Sequence, residues 1–213
     1  MSFGSVELFR NVNLRIDPGE KILLDGDVGS GKTVFMRLLS GMVIPSQGVV
    51  SYKGKPFYYT MSNAFFAQRA EISYLLEGLQ PQDNLSVFEN LALPYRVRGQ
   101  YDESLIQSLV MDKLKKVALD KKAEQRPERL SMEEKNILVI LMALKENTRF
   151  FVVDEAFPQL NDNMKGAIRD IFAERYDERR SGIIMSRDDY RDWNLAYDRV
   201  FYLRNNQVFV ESA

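Results

Sequence analysis

Apolar and polar positions along this chain fall into alternating short strands and amphipathic helices. Val12, Leu14 and Ile16 alternate with polar neighbours, the period of a half-exposed strand, and Asp17-Pro18-Gly19 turns that segment into the next. Ile22 to Asp25 reads as a short buried strand. The apolar run Val34, Phe35, Met36, Leu38 and Leu39 then predicts a helix that stops at Gly41. Gly48 to Tyr52, followed by Lys53-Gly54-Lys55, predicts one arm of a hairpin and its turn, so antiparallel strands flank that helix as a small β lobe. Tyr58, Tyr59, Phe65 and Phe66 form an aromatic stretch expected to pack as core beneath a loop.

Ile72 to Leu76 predicts another strand, and Gly78 to Asn84 a polar loop. Ser86 with Glu89 forms a capping box that starts a helix, which Pro94 is expected to close. Leu105, Ile106, Leu109, Val110, Leu114 and Val117 recur at helical spacing. A further helix spans Ser131 to Lys145 and is apolar nearly all round from Ile137 to Leu144, which implies burial on every side. Phe150 to Val153 is an apolar strand ending in Asp154-Glu155. After it come a helix carrying Met164, Ile168, Ile171 and Phe172, a strand from Gly182 to Ser186, and a hairpin of Val200 to Leu203 and Val208 to Val210 turning at Asn205-Asn206. Strands alternating with helices imply an α/β fold with a mainly parallel sheet, whose ligands lie at the carboxyl ends of the strands.

Composition narrows the function more than the fold. A chain of 213 residues can bury a full core. Its formal net charge of −1 removes any argument for general nucleic-acid affinity, which depends on counter-ion release by a basic face. Cysteine is absent, so there is no disulfide frame or thiolate metal site, which fits a reducing compartment. Histidine is absent too, which excludes every mechanism that would draw an imidazole from this chain. No basic segment precedes an apolar leader, and no apolar run approaches the roughly 20 residues of a spanning helix. The expectation is a soluble chain whose membrane role, if any, comes through a partner.

The chemistry concentrates between Lys21 and Thr33. Gly26-Asp27-Val28-Gly29-Ser30-Gly31-Lys32-Thr33 matches the phosphate-loop pattern G-x-x-x-x-G-K-S/T, in the strand–loop–helix setting the motif requires. A polyphosphate needs several backbone N–H groups converging on it, and glycines clear that space while the following helix dipole adds positive character. Lys32 would place a point charge on the β and γ oxygens of a nucleoside triphosphate, and the Thr33 hydroxyl would ligate Mg²⁺. Asp154 at the end of the second apolar strand would hold the same ion, directly or through water, and Glu155 would polarise the attacking water. A buried acidic pair with no cation nearby is costly, so a metal–phosphate site explains these carboxylates better than a structural role.

In the order of its elements, nearly the whole chain resembles the nucleotide-binding subunit of ABC transporters. The resemblance implies a P-loop NTPase of ABC type: one ATP-binding domain over residues 1–213, with a core of 1–77 and 147–213 and a helical insertion at about 85–146. It implies that Phe3 stacks on adenine and that Leu130-Ser131 stands where the family carries its LSGGQ signature, at the family's spacing from Asp154. The segment Leu85 to Pro94 is similar to the stretch by which such subunits meet an integral membrane permease. Together with Val110 to Leu119 it looks most like the ATPases of Mce-type lipid transporters. The expected cofactors are ATP and Mg²⁺, and the expected partners are a permease and a second ABC ATPase in a homodimer or heterodimer. The expected location is cytoplasmic, on the inner face of the membrane. An ABC ATPase acting on DNA or ribosomes fits poorly with balanced charge and no long coiled-coil insertion.

Four accessories depart from the family's pattern. Leu130-Ser131-Met132-Glu133-Glu134 replaces LSGGQ, in which glycines let one subunit's backbone approach the phosphate held by the other. Met132 adds bulk there, and Glu133 and Glu134 add charge: two like charges near 4 Å repel by roughly 4 kcal/mol at an effective dielectric of about 20. Ser131 and Glu134 also read as a plain capping box that keeps the helix and loses the phosphate contact. Glu77 stands where a glutamine is expected, Arg187 where a switch histidine is expected, and Asn161 where an aspartate is expected. Arginine can neutralise phosphate charge but cannot take up a proton. The reading is an ATP-binding transporter subunit with weak or partner-dependent hydrolysis; the alternative is a nucleotide-gated regulatory or structural subunit that does not turn over.

Overall fold

The structure, a computed structural model, describes residues 2–3, 6–76, 79–99, 101–144, 148–154, 162, 165–167, 170, 181–186 and 196–212. They belong to two compact units. One comprises Met1–Leu76, Lys145–Ala156 and Tyr176–Ala213, and the other Glu77–Leu144 and Phe157–Arg175.

The first unit is built on strands β1 (Ser2–Phe3), β2 (Val6–Glu7), β3 (Lys21–Gly26), β4 (Ser51–Tyr52), β5 (Lys55–Pro56), β6 (Ile72–Leu76), β7 (Phe150–Asp154), β8 (Gly182–Ser186), β9 (Arg199–Arg204) and β10 (Gln207–Ser212). Its helices are α1 (Lys32–Leu39) and α2 (Asn63–Ala70). Six strands form one sheet in the order β10-β9-β3-β8-β7-β6, parallel throughout except for the antiparallel edge pair β9–β10. The edge pair turns at Asn205 and Asn206, both with positive φ (52° and 62°), the geometry a two-residue hairpin turn requires and asparagine tolerates. Two separate two-stranded ladders, β1–β2 and β4–β5, make up the rest of the antiparallel structure.

The core of this unit follows from the apolar runs. Leu24, Val152, Ile184 and Phe201 are fully buried in the central strands, with Phe35 and Met36 of α1 against them. Burying each such side chain contributes about 1.5–3 kcal/mol. Phe35 meets both Phe9 and Phe201 edge-on, at ring-centroid distances of 5.5 and 6.5 Å, which fixes α1 against the sheet.

Two expectations for this unit fail. Val12 to Ile16 forms no strand: Leu14 and Ile16 do pack on the core, but among the described residues the backbone joins no ladder, and the Arg15 carbonyl takes the Arg199 guanidinium (2.6 Å). The aromatic stretch is largely not core. Tyr58 and Phe66 are exposed, and Phe65 lies on the helix α2, where the Arg69 guanidinium sits 3.8 Å from its ring centre. Arg69 also donates to the Tyr58 carbonyl (2.9 Å) and to the carbonyl of Gly41, so a cation–π stack ties this segment to the end of α1.

The second unit contains α3 (Val87–Arg98), α4 (Glu103–Lys116) and α5 (Met132–Ala143). The predicted capping boxes at Ser86/Glu89 and Ser131/Glu134 are both formed. Leu91 and Tyr95 of α3, Ile106, Val110 and Leu114 of α4, and Ile137, Leu138, Ile140 and Leu141 of α5 are buried. Pro94 does not close α3, which runs on to Arg98 and ends at Gly99 in the left-handed conformation (φ 62°). Proline costs a helix interior about 3 kcal/mol, but burial of Tyr95 on the following position keeps the helix going. Lys113 is buried, points at the Tyr95 ring (5.3 Å) and donates to the Leu144 carbonyl (3.1 Å), where it satisfies the carboxyl end of α5. Of the helix expected around Met164 to Phe172, the described residues 162, 165–167 and 170 are helical; the remainder lies outside the described residues.

Candidate functional site

The described parts of the phosphate site lie in the first unit, at the carboxyl ends of β3 and β7. At the end of β3, Gly26 pairs with Leu203 of β9 and has φ +150°. A side chain there would put its first carbon 2.7 Å from the Leu203 carbonyl and 2.7 Å from Ser30 Oγ, so the position accepts only glycine. The chain then reverses: Ser30 N–H donates to the Asp27 carbonyl (3.0 Å), and Asp25 Oδ1 accepts from Gly26 N–H (2.8 Å). Val28 stands fully exposed at the tip. Gly29 and Gly31 both have positive φ, and a side chain at Gly31 would strike the Phe9 ring at 2.9 Å.

Gly31 is the N-cap of α1, and this helix start differs from the others. Ser62, Ser86, Asp102 and Ser131 each cap α2 to α5 with a side-chain acceptor, whereas α1 has no side-chain cap and no acidic residue in its first turn. The first-turn amides of a helix need an acceptor from outside the helix, and here no capping side chain supplies one. Beside them, Lys32 Nζ donates to the Gly26 carbonyl (2.6 Å) and the Asp27 carbonyl (3.2 Å), which holds an ammonium within the loop. Ser30 Oγ is buried without a hydrogen-bond partner. A helix start without a side-chain cap, a tethered ammonium and a buried hydroxyl together favour an anion over any neutral ligand.

Asp154 ends β7 at 2% exposure, opposite Leu76 of β6. Only β8 separates β7 from β3, which puts the two strand ends about 10 Å apart at ordinary strand spacing. Thr33, half-buried on the first turn of α1, and Asp154 are hard oxygen donors suited to Mg²⁺, an ion that usually completes its shell with phosphate oxygens and water. Among the described residues no group of three or more Asp, Glu, His or Cys is placed to hold a metal ion. Glu77, Glu155, Asn161 and Arg187 lie outside the described residues. Of Phe3, only the backbone, paired in β1, is described.

The signature-like residues lie in the second unit. Leu130 is buried, and Met132 is 63% exposed on the first turn of α5. Ser131 Oγ accepts from Glu134 N–H (3.2 Å), and Ser131 N–H donates to Glu134 Oε2 (2.9 Å). The Glu134 carboxylate also receives Lys122 Nζ at 2.7 and 2.8 Å. Burial pushes its pKa up, but the hydrogen bonds from Lys122 and Ser131 outweigh this and hold it below the usual carboxylate range. Sequence reasoning found the capping box and missed Lys122, which no spacing rule connects to Glu134. It also missed Phe9 beneath Gly31, where the apolar pattern is the sole signal.

A family model described as ABC transporter matches residues 9–158. The chain belongs to the ABC transporter family. The sulfate/thiosulfate import ATP-binding protein CysA of Bradyrhizobium diazoefficiens is 30% identical over 170 residues, covering 78% of this chain and 48% of that protein. The methionine import ATP-binding protein MetN of Carboxydothermus hydrogenoformans is 29% identical over 206 residues, covering 97% of this chain and 61% of that one. This ABC chain therefore spans about half the length of the first relative and three-fifths of the second. Among solved structures, the ATP-binding cassette MJ0796, in a dimeric post-hydrolysis state bound to ADP and Pi, superposes with a TM-score of 0.83 at 21% identity. It covers all of this chain and 94% of its own. That likeness establishes the ABC ATPase fold, with its mostly parallel sheet, antiparallel β part and helical segments.

Proposed function

We propose that this chain is the ATP-binding subunit of an ABC-type membrane transporter, acting as one domain on the cytoplasmic face beside an integral membrane permease and a second ATP-binding chain. The observation that carries the reading is the uncapped start of α1, set behind glycines that sterics enforce and beside a lysine held in the loop. Lys32 and the amides of Gly29 to Thr33 would bind the phosphates, Thr33 and Asp154 would hold Mg²⁺, and Phe3 would stack on adenine. Bound there, Mg²⁺ would neutralise charge on the β- and γ-phosphate oxygens. Glu155 would orient the attacking water, with Glu77 and Arg187 as altered neighbours of the γ-phosphate. No described helix is long and apolar enough to cross a membrane, which fits a subunit that reaches the bilayer through a partner. The relatives named above are ATP-binding proteins of sulfate/thiosulfate and methionine import, and a lipid cargo, which the Mce-type likeness implied, rests on that likeness alone.

Turnover in this reading is slow. Glu155 is the single remaining general base, and the helix that begins at Ser131 keeps its capping bonds to itself. The same capping supports the second reading, a subunit that binds ATP and gates a partner without hydrolysing it. The purified chain with its permease is expected to release phosphate at a measurable rate that Glu155→Gln lowers at least tenfold, while ATP affinity stays unchanged. Equal inertness of wild type and variant in the complex would favour the gating reading, and loss of ATP affinity would reassign Glu155.

A further inference from the structure

Two phenylalanines bracket α1, each seated against a glycine with positive φ. At the far end of the helix Gly41 (φ +71°) lies on the Phe57 ring, and at its start Gly31 (φ +93°) lies on the Phe9 ring. A first side-chain carbon on these glycines would stand 2.7 Å and 2.9 Å from the respective rings. Both rings are buried, at 5% and 4% exposure. Gly41 has a local reason for its conformation: a left-handed glycine past the last turn closes a helix, and its N–H donates to the Leu38 carbonyl (2.9 Å). A helix start gives no such reason. Helices α2 to α5 begin from Ser62, Ser86, Asp102 and Ser131 with extended backbone, whereas α1 begins from a left-handed Gly31. Glycine takes positive and negative φ about equally readily, so a neighbour must make the choice.

We propose that Phe9 is a positioning residue for nucleotide: on the reading that the loop holds the phosphates of MgATP, its ring fixes Gly31 and with it the shape of the cradle. The ring meets Phe35 edge-on at 5.5 Å, and Phe35 N–H donates to the Gly31 carbonyl (2.8 Å). Phe9 therefore touches both the capping glycine and the residue that closes the first bond of α1. Its own backbone is held next door, where Arg10 N–H donates to the Asn206 carbonyl (3.0 Å) in the β9–β10 turn. At the other end of the loop Gly26 pairs with Leu203 of β9. Both ends of the phosphate loop are thus set against one hairpin, the first through Leu203 and the second through Arg10 and Phe9. Without the ring, Gly31 regains the other half of its φ range, and Lys32 and Thr33 turn with it.

The test compares the full chain with two variants. Phe9→Leu keeps the position apolar but only part-fills the space under Gly31, and Phe57→Leu makes the same change at matching burial under Gly41. Thermal midpoints are measured first. Well below the lowest of them, a fluorescent ATP analogue is titrated with Mg²⁺ and then displaced with Mg²⁺-tripolyphosphate. Both variants are expected to melt earlier than wild type. Phe9→Leu alone is expected to hold the analogue and tripolyphosphate about tenfold more weakly, the effect of returning conformational freedom to one backbone residue. Wild-type affinity in Phe9→Leu would overturn the proposal. So would an equal loss in Phe57→Leu, because the effect would then be general destabilisation. Tripolyphosphate held undiminished by Phe9→Leu, or displacing nothing from wild type, would also count against it, since the ring would then serve the base and not the phosphates. Should Phe9→Leu fail to fold, Phe9→Met carries the same comparison. A folded wild type that binds neither probe would instead refute the ATP-binding reading.

Discussion

Replacing Lys32 by alanine is expected to weaken binding of MgATP about a hundredfold or more while the chain keeps its fold. The ammonium is tied to the carbonyls of Gly26 and Asp27 at 2.6 and 3.2 Å, so it is already positioned where an anion cradled by the loop would meet it. A hydrogen bond to a charged group contributes about 1.5–3 kcal/mol, and losing contacts to two phosphates removes roughly 3 kcal/mol or more, which is about two decades in affinity. Titration with a fluorescent ATP analogue measures the loss, and far-UV circular dichroism checks the fold. Lys32→Arg should rescue only in part, because a planar fork does not reproduce a compact point charge. Full affinity in the alanine variant would mean that the loop does not bind the phosphates.

Gly26→Ala is the second large effect, and it is on stability as well as binding. The substitution meets the Leu203 carbonyl and Ser30 Oγ, both at 2.7 Å, with φ at +150°, where an alanine is strained whatever the space. Strain of this kind costs about 1–3 kcal/mol and overpacking a similar amount, for a total of roughly 2–6 kcal/mol. In a chain of this size that lowers the melting midpoint by roughly 4–24 °C. Gly29→Ala is the internal control. Gly29 also has positive φ (+81°), but nothing lies within 4 Å of an added carbon, so it bears backbone strain alone. Thermal denaturation should rank the two with Gly26→Ala clearly the worse; equal midpoints would show that the β3–β9 register at this glycine imposes no constraint.

The parts of the fold legible in the sequence were those where local chemistry and tertiary packing agree. The loop from Gly26 to Thr33, the strand ending at Asp154, both capping boxes and the Asn205-Asn206 turn each combine a special backbone requirement with the residue that meets it. The misses are conflicts between levels. Leu14 and Ile16 alternate as a strand would, yet among the described residues their backbone joins no ladder and the Arg15 carbonyl takes the Arg199 guanidinium instead. Pro94 signals an end that the packing of Tyr95 overrides. The short helix α2 buries none of its side chains, so its apolar pattern carried no face to detect; the Ser62 cap, accepting Phe65 N–H at 3.2 Å, was the one available signal. At the candidate site the glycines, Lys32, Thr33 and Asp154 stand on the strand ends and helix start where the sequence put them. The Lys122–Glu134 pair joins residues twelve apart through the fold, which no local pattern encodes.

Main-chain amides at the start of α1, together with Lys32, are proposed to hold a magnesium-bound triphosphate. A crystal structure of the chain with Mg²⁺ and a non-hydrolysable ATP analogue decides this. The expected result is the β- and γ-phosphates against the amides from Gly29 to Thr33, Lys32 Nζ in contact with them, and the ion bound by Thr33 and Asp154. Nucleotide bound elsewhere, or a loop left empty at saturating concentration, would contradict it.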